Sequence, residues 1–241
     1  MAEAEERRGL NAEAGPVAEA EAGPVTEPPA DGLRAIVSDF GGVLTTPLLR
    51  SFAAIQEDVG ISAESLGLAM REGLGEGEEL PLFRLERGDI SEDEFLERLS
   101  DGLETILGRR PHLHHFRHMF FDALDPNEEM IALMRELKAS GLKMALLTNN
   151  VKEWEPLWRS MLPVDEIFEE IVDSAFVGVR KPEARIYELT LERIGVPAEA
   201  CLFIDDIQVN CEGAEALGMR AVHFRDNEQA IGEIRAALAG A

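Results

Sequence analysis

The chain has two cysteines, one tyrosine and two tryptophans among its 241 residues, and 23 lysines and arginines against 47 acidic side chains. Each shortage closes off a class of protein. Two cysteines, Cys201 and Cys211, cannot build the disulfide framework of a small secreted domain. No run approaches the roughly 18 apolar residues that a membrane-spanning helix needs. The first residues also lack the basic start and apolar stretch of a signal peptide, so a cytoplasmic location is expected. A formal net charge of −24 repels nucleic-acid phosphates and anionic lipid surfaces, which argues against a nucleic-acid or membrane partner. The same charge repels an anionic substrate. Any phosphate site must therefore hold its own positive centre, from a metal ion, a lysine or backbone amides.

What is present is 45% hydrophobic content, enough for one core domain and a smaller companion. Residues 1–32 contain almost no large apolar side chains and repeat AEAGPV at 12–17 and 20–25, the composition of a disordered acidic tail. From Leu33 onward, short apolar runs alternate with helical patterns. The runs are Leu33–Ser38, Lys143–Leu147, Glu170–Val172, Ala200–Ile204 and Arg220–Phe224, and continuous runs of this length suit strands buried on both faces. One helix is expected to open with Asp125 as cap and Pro126 at its first position, and to stop at Gly141. Another is expected from Pro182 to Gly195, with Tyr187, Leu191 and Ile194 on one face. Alternating strands and helices predict a doubly wound, Rossmann-like parallel sheet.

The stretch 47–124 breaks the alternation. It is too long for a loop and contains no strand pattern. Ser91 and Glu94 form a capping box with Ile90 and Phe95 as a staple, and Leu96, Leu99, Leu103 and Ile106 follow at helical spacing. This segment is expected to be an inserted all-helical cap domain, with 33–46 and 125–241 forming the core. Gly73, Gly75 and Gly77 suit a break between cap helices better than a nucleotide loop, because no strand precedes them. His114 and His118 have the spacing of a metal pair, but no third ligand is evident among the neighbouring His112 and His115. Trp154 and Trp158 are expected to pack the helix after the second strand against its neighbours.

Chemistry-bearing residues gather at the predicted carboxyl ends of strands, where open α/β sheets bind ligands. Strand one ends in Ser38-Asp39-Phe40-Gly41-Gly42. A carboxylate there can attack phosphorus or merely cap a turn, and the glycine pair lets backbone amides approach a phosphoryl group. Strand two ends in Leu147-Thr148-Asn149-Asn150, offering a hydroxyl and amides. Gly178-Val179-Arg180-Lys181-Pro182 sets an ammonium before a helix. The fourth strand ends in Ile204-Asp205-Asp206. These two carboxylates beside Asp39 would repel one another unless a hard cation such as Mg²⁺ held them.

Asp39 in DFGGVL, Thr148 in LLTNN, Lys181 in RKPEARIYE and the pair in FIDDIQVN resemble the four ordered motifs of the haloacid dehalogenase-like superfamily. The resemblance spans residues 33–225. The helical insertion lies between motifs one and two, as in the subfamily of phosphoglycolate phosphatases and the N-terminal phosphatase domain of soluble epoxide hydrolase. It implies a Mg²⁺-dependent hydrolase of small phosphorylated metabolites that works through an aspartyl-phosphate on Asp39. By the same resemblance Asp39 is nucleophile and metal ligand, the Gly41 carbonyl, Asp205 and Asp206 complete the metal site, and Thr148 with Asn149 binds phosphate. Lys181 would steady the charge, and Gly42 would help admit the phosphoryl group. One departure stands out. Phosphatases of the family usually place an acid two residues after the nucleophile, and this chain has Gly41 there. A metal-independent dehalogenase and a phosphate-binding module without turnover are the alternatives.

Overall fold

In the computed structural model, residues 32–240 are described except Gly73 and Glu76, so the expected tail lies outside the described residues apart from Gly32. Five strands form the sheet: β1 (Ala35–Ser38), β2 (Lys143–Thr148), β3 (Glu170–Asp173), β4 (Cys201–Asp205) and β5 (Arg220–His223). All pair in parallel, in the order β3-β2-β1-β4-β5. The chain moves outward from β1 through β2 to β3, then crosses back to place β4 on the other side of β1. That reversal opens a crevice between β1 and β4 at their carboxyl ends.

Register decides what meets there. Ser38 lies opposite both Leu146 and Ile204. Asp39 therefore leaves the sheet between its two neighbours, level with Leu147 of β2 and with Asp205, the last residue of β4. The alternation of side chains along β1 feeds two cores. Ile36 packs in the larger cluster, and Ala35 and Val37 in the smaller one with Tyr187 and Phe203.

Between β1 and β2 run α1 (Leu49–Val59), α2 (Ala63–Ala69), α3 (Pro81–Glu86), α4 (Glu92–Leu107) and α5 (Phe116–Asp122). Half of the expected capping box forms: the Ser91 side chain accepts from the Glu94 amide and Ile90 and Phe95 are buried, while the Glu94 carboxylate accepts from Arg98 at 2.7 Å. α2 and α4 approach closely at Gly102, where a Cβ would stand 2.3 Å from the Ala69 carbonyl oxygen. The apolar faces of these helices join the larger core cluster, so the insertion shares one hydrophobic interior with a face of the sheet.

The remaining helices are α6 (Glu128–Ala139), α7 (Glu155–Met161), α8 (Val164–Ile167), α9 (Ser174–Val177), α10 (Ala184–Ile194), α11 (Gln208–Glu215) and α12 (Asn227–Ala239). Two begin later than their sequence signals indicate. α6 is capped by Asn127 rather than Asp125, because residues 125–127 hydrogen-bond with 44–46 and Thr45 bridges Pro126. α10 starts at Ala184, beyond Pro182, because the Lys181 backbone is held by Asn149. Trp158 packs edge-on to Phe40 at 5.3 Å. Trp154 instead reaches the insertion, contacting Phe116, Phe120 and Phe121 and donating its indole N–H to Glu92 at 2.9 Å.

Candidate active site

Asp39 follows the last residue of β1 and is buried. Its Oδ1 accepts from the Phe40 amide at 2.7 Å and pairs with Lys181 Nζ at 2.8 Å, while Oδ2 has no hydrogen-bond partner among the described residues. Lys181 is itself fully buried. Its ammonium donates to Asp205 Oδ2 at 2.6 Å and to the Leu147 carbonyl at 3.0 Å, and forms an ion pair with Asp39 Oδ1. Burial alone would lower the lysine pKa, but the flanking Asp205 and Asp39 carboxylates outweigh it and raise it. The lysine stays charged.

Asp205 is the most fully satisfied group of the site. Besides Lys181, its oxygens accept from the Ile207 amide at 2.8 Å and from Asn210 Nδ2 at 3.0 and 3.1 Å. Asp206 turns the other way, against the turn after Asp39. A Cβ on Gly42 would lie 2.2 Å from Asp206 Oδ2, and Gly42 has φ +78, so both space and backbone dictate glycine there. The Gly42 amide, expected to face a phosphoryl group, donates instead to Thr45 Oγ1 at 3.1 Å. The Gly41 amide has no acceptor among the described residues, and neither does the Asn149 amide. Thr148 closes β2 beside them, its hydroxyl equally unengaged.

Asp39, Asp205 and Asp206 offer carboxylate oxygens within 4.8 Å of one another, the one such group of His, Cys, Asp or Glu among the described residues. His114 and His118 form no part of it. His114 stacks on His112 and precedes α5. With all three acids ionised, three carboxylates against one ammonium would leave an excess of two negative charges. The strain is visible in the acids. Burial pushes Asp39 up to about 8, with Lys181 opposing and Asp205 and Asp206 adding to the rise. Burial, then Asp205, pushes Asp206 up to about 6.

One contributor, Asn210, was missed in the sequence, and Asn149, expected only at the phosphate, has a second role through its side chain. Asn149 clamps the motif loops together, its Oδ1 accepting from the Lys181 amide at 2.8 Å and its Nδ2 donating to the Lys181 carbonyl at 3.0 Å. Asn210, on α11, fixes Asp205. The only signal was its place in FIDDIQVN, one helical turn after the acidic pair. Above the site lies a cavity of about 520 Å³, bounded by Asp39, Gly41, Thr148, Asn149, Lys181 and Asp206 below and by the insertion helices above.

Sesquiterpene phosphatase astK of Aspergillus oryzae is 30% identical over 204 residues, covering 84% of this chain and 95% of that protein. Bifunctional epoxide hydrolase 2 of Sus scrofa is 26% identical over 214 residues, covering 84% of this chain. The chain spans 38% of that enzyme and 19% of another, longer relative. Among solved structures, a HAD family enzyme of Bacteroides thetaiotaomicron in complex with magnesium and inorganic phosphate shares the fold. Its TM-score is 0.62 at 22% identity, with 80% of this chain and 95% of that one covered. Residues 33–218 match the family model of haloacid dehalogenase-like hydrolases, and the chain is a member of that family.

Proposed function

We propose that this hydrolase is a Mg²⁺-dependent phosphomonoesterase that uses Asp39 as its nucleophile. The observation that carries the reading is the Asp39 carboxylate, held through one oxygen by Phe40 and Lys181 and presenting the other, unpartnered, to the cavity. The donor set suits magnesium: hard carboxylate oxygens with two negative charges in excess of the lysine. Asp39, Asp206 and the Gly41 carbonyl would hold the ion. Asp205, its oxygens already engaged by Lys181, Ile207 and Asn210, would act chiefly by fixing the lysine. Bound there, magnesium supplies the positive charge that lets a phosphoryl dianion approach the acids.

The Gly41 and Asn149 amides and the Thr148 hydroxyl, all free of other partners, orient the phosphoryl oxygens. Asp39 Oδ2 then attacks phosphorus. A bond forms between that oxygen and phosphorus, and the ester P–O bond breaks with its electron pair leaving on the alcohol oxygen. Lys181 balances the charge of the reacting carboxylate throughout. Water cleaves the aspartyl-phosphate, so that ester and water become alcohol and inorganic phosphate and Asp39 is regenerated. The helical insertion roofs the cavity as a cap, excluding bulk water. A dehalogenase would not need Asp206 and its two neighbours gathered within ligand distance of one another, and a pure binding module would not need a free nucleophilic oxygen.

The test is phosphate release from a panel of phosphomonoesters with Mg²⁺ and with chelator. Turnover that requires the metal, together with a phosphoryl adduct on Asp39 in acid-quenched enzyme, supports the reading. Turnover without the metal, or an adduct elsewhere, overturns it.

A further inference from the structure

We infer that the substrate carries a long apolar group, so that the chain dephosphorylates amphiphilic alkyl monophosphates rather than sugar phosphates; this rests on the phosphomonoesterase reading above. The roof of the cavity is almost wholly apolar. Among the residues that the insertion contributes to the wall, Glu86 is the only polar one. The others are aliphatic or aromatic, with Phe52, Leu66, Met70, Leu99 and Phe120 among them, and Trp154 closes the wall from the core side.

The polar groups near this wall are few, and each is paired through one of its atoms. Trp154 donates its indole N–H to Glu92, so it shows the cavity only hydrocarbon. Glu86 accepts from Arg180 Nε at 2.5 Å, and that guanidinium stacks on Phe83 with 3.9 Å to the ring centre. A sugar or polyol in this space would bury hydroxyls with few partners, which a binding site cannot tolerate. A hydrocarbon chain loses nothing by entering, and a volume of about 520 Å³ suits a ligand larger than phosphate itself. The polarity changes along one direction: anion-binding groups sit at the sheet end and apolar ones under the insertion. Ile207 and Val209, about half exposed, continue the apolar lining outward beside Asp206. A molecule with a phosphate head and an apolar tail matches that gradient.

The experiment is a chain-length series of n-alkyl monophosphates from ethyl to octyl, assayed with Mg²⁺, beside nitrophenyl phosphate and glucose 6-phosphate. The expected result is a rise in kcat/KM of up to about fourfold per methylene, the factor for moving a methylene out of water, with glucose 6-phosphate among the poorest substrates. Nitrophenyl phosphate cleaved with a flat alkyl series, or with sugar phosphate preferred, overturns the tail assignment and leaves the phosphatase reading standing. If nothing is cleaved, that reading falls. Thermal melting of Asp39→Asn with octylphosphonate against methylphosphonate then decides the tail separately: a larger shift for octyl supports it and equal shifts overturn it. Met70→Gln, close in size to the original, should cut the octyl-to-ethyl ratio about tenfold, whereas Met70→Leu should preserve it. An unchanged ratio in Met70→Gln would place the chain elsewhere and overturn the proposal.

Discussion

Arg180 Nε stands 2.5 Å from Glu86 Oε2, an ion pair that ties the loop carrying Lys181 to the last residue of α3 in the insertion. Both side chains are largely buried, at 14% and 15% exposure, and burial raises the Glu86 pKa while Arg180 opposes it. A second, longer link joins Arg87 to Glu183 at 3.4 Å. Insertion and core are thereby tied at the rim of the cavity.

Removing one partner of such a pair leaves a buried charge unpaired. Glu86→Ala is expected to lower stability by on the order of 3 kcal/mol. Glu86→Leu combined with Arg180→Met should recover most of the loss, because the apolar pair needs no desolvation. Chemical denaturation of the two single and the double variants completes the cycle. Additive losses would show that the pair is not coupled.

Asp39→Asn is expected to lower turnover by at least about 10³ through loss of the nucleophile. Its fold should persist, since the amide has nearly the same shape and one of three crowded carboxylates has gone. Phosphate release and melting temperature on the same preparation check both halves. Activity within tenfold of the parent would mean that another group attacks phosphorus.

Asp39 and Asp206 hold protons more tightly in the fold, at about 8 and about 6, than the ordinary 3.8 of an aspartate. Between these values the native state binds more protons than the unfolded chain, so the metal-free protein should lose stability as pH rises from about 4 to about 8. Mg²⁺ should offset the repulsion and raise the melting temperature, more at pH 8 than at pH 5. At a hundred times its Kd the ion would add about 2.7 kcal/mol. Asp206→Asn should erase most of that rise. A shift that survives in the variant would put the ion at another site.

Gly41 stands where the family's second aspartate usually provides a proton for the leaving group. With no acid there, aryl phosphates should be cleaved faster than alkyl phosphates of similar size, by roughly 10². Gly41→Asp should narrow that gap by speeding the alkyl esters. The backbone permits the substitution, since Gly41 is not left-handed, but its Cβ would meet Leu48 Cδ2 at 3.2 Å. Leu48→Ala in the same chain should therefore strengthen the gain. Equal rates for aryl and alkyl esters in the parent would show that a different acid already acts, with Glu86 the one titratable group that the insertion brings to the cavity.

The strands and the order of site residues were legible because both are local properties. Apolar runs ending in Asp39, Thr148 and Asp205 mark strand ends, and a parallel sheet must gather those ends on one edge. Helix starts were less legible: Asp125-Pro126 looks like a cap, yet contacts with residues 44–46 hold it outside α6. The tertiary structure alone decided which oxygens of the acids are engaged and which are free, and that the Gly42 amide turns to Thr45 while the Gly41 amide remains open. It also decided that Leu48 occupies the space beside Gly41, and that Arg180 meets Glu86 across 94 residues of sequence. The same holds for the apolar roof. Phe52, Leu66, Met70 and Phe120 have the spacing of ordinary core residues, and a hydrophobic side chain at helical period reads identically whether it faces another helix or a ligand cavity. Only the packing of distant helices against the sheet edge separates the two.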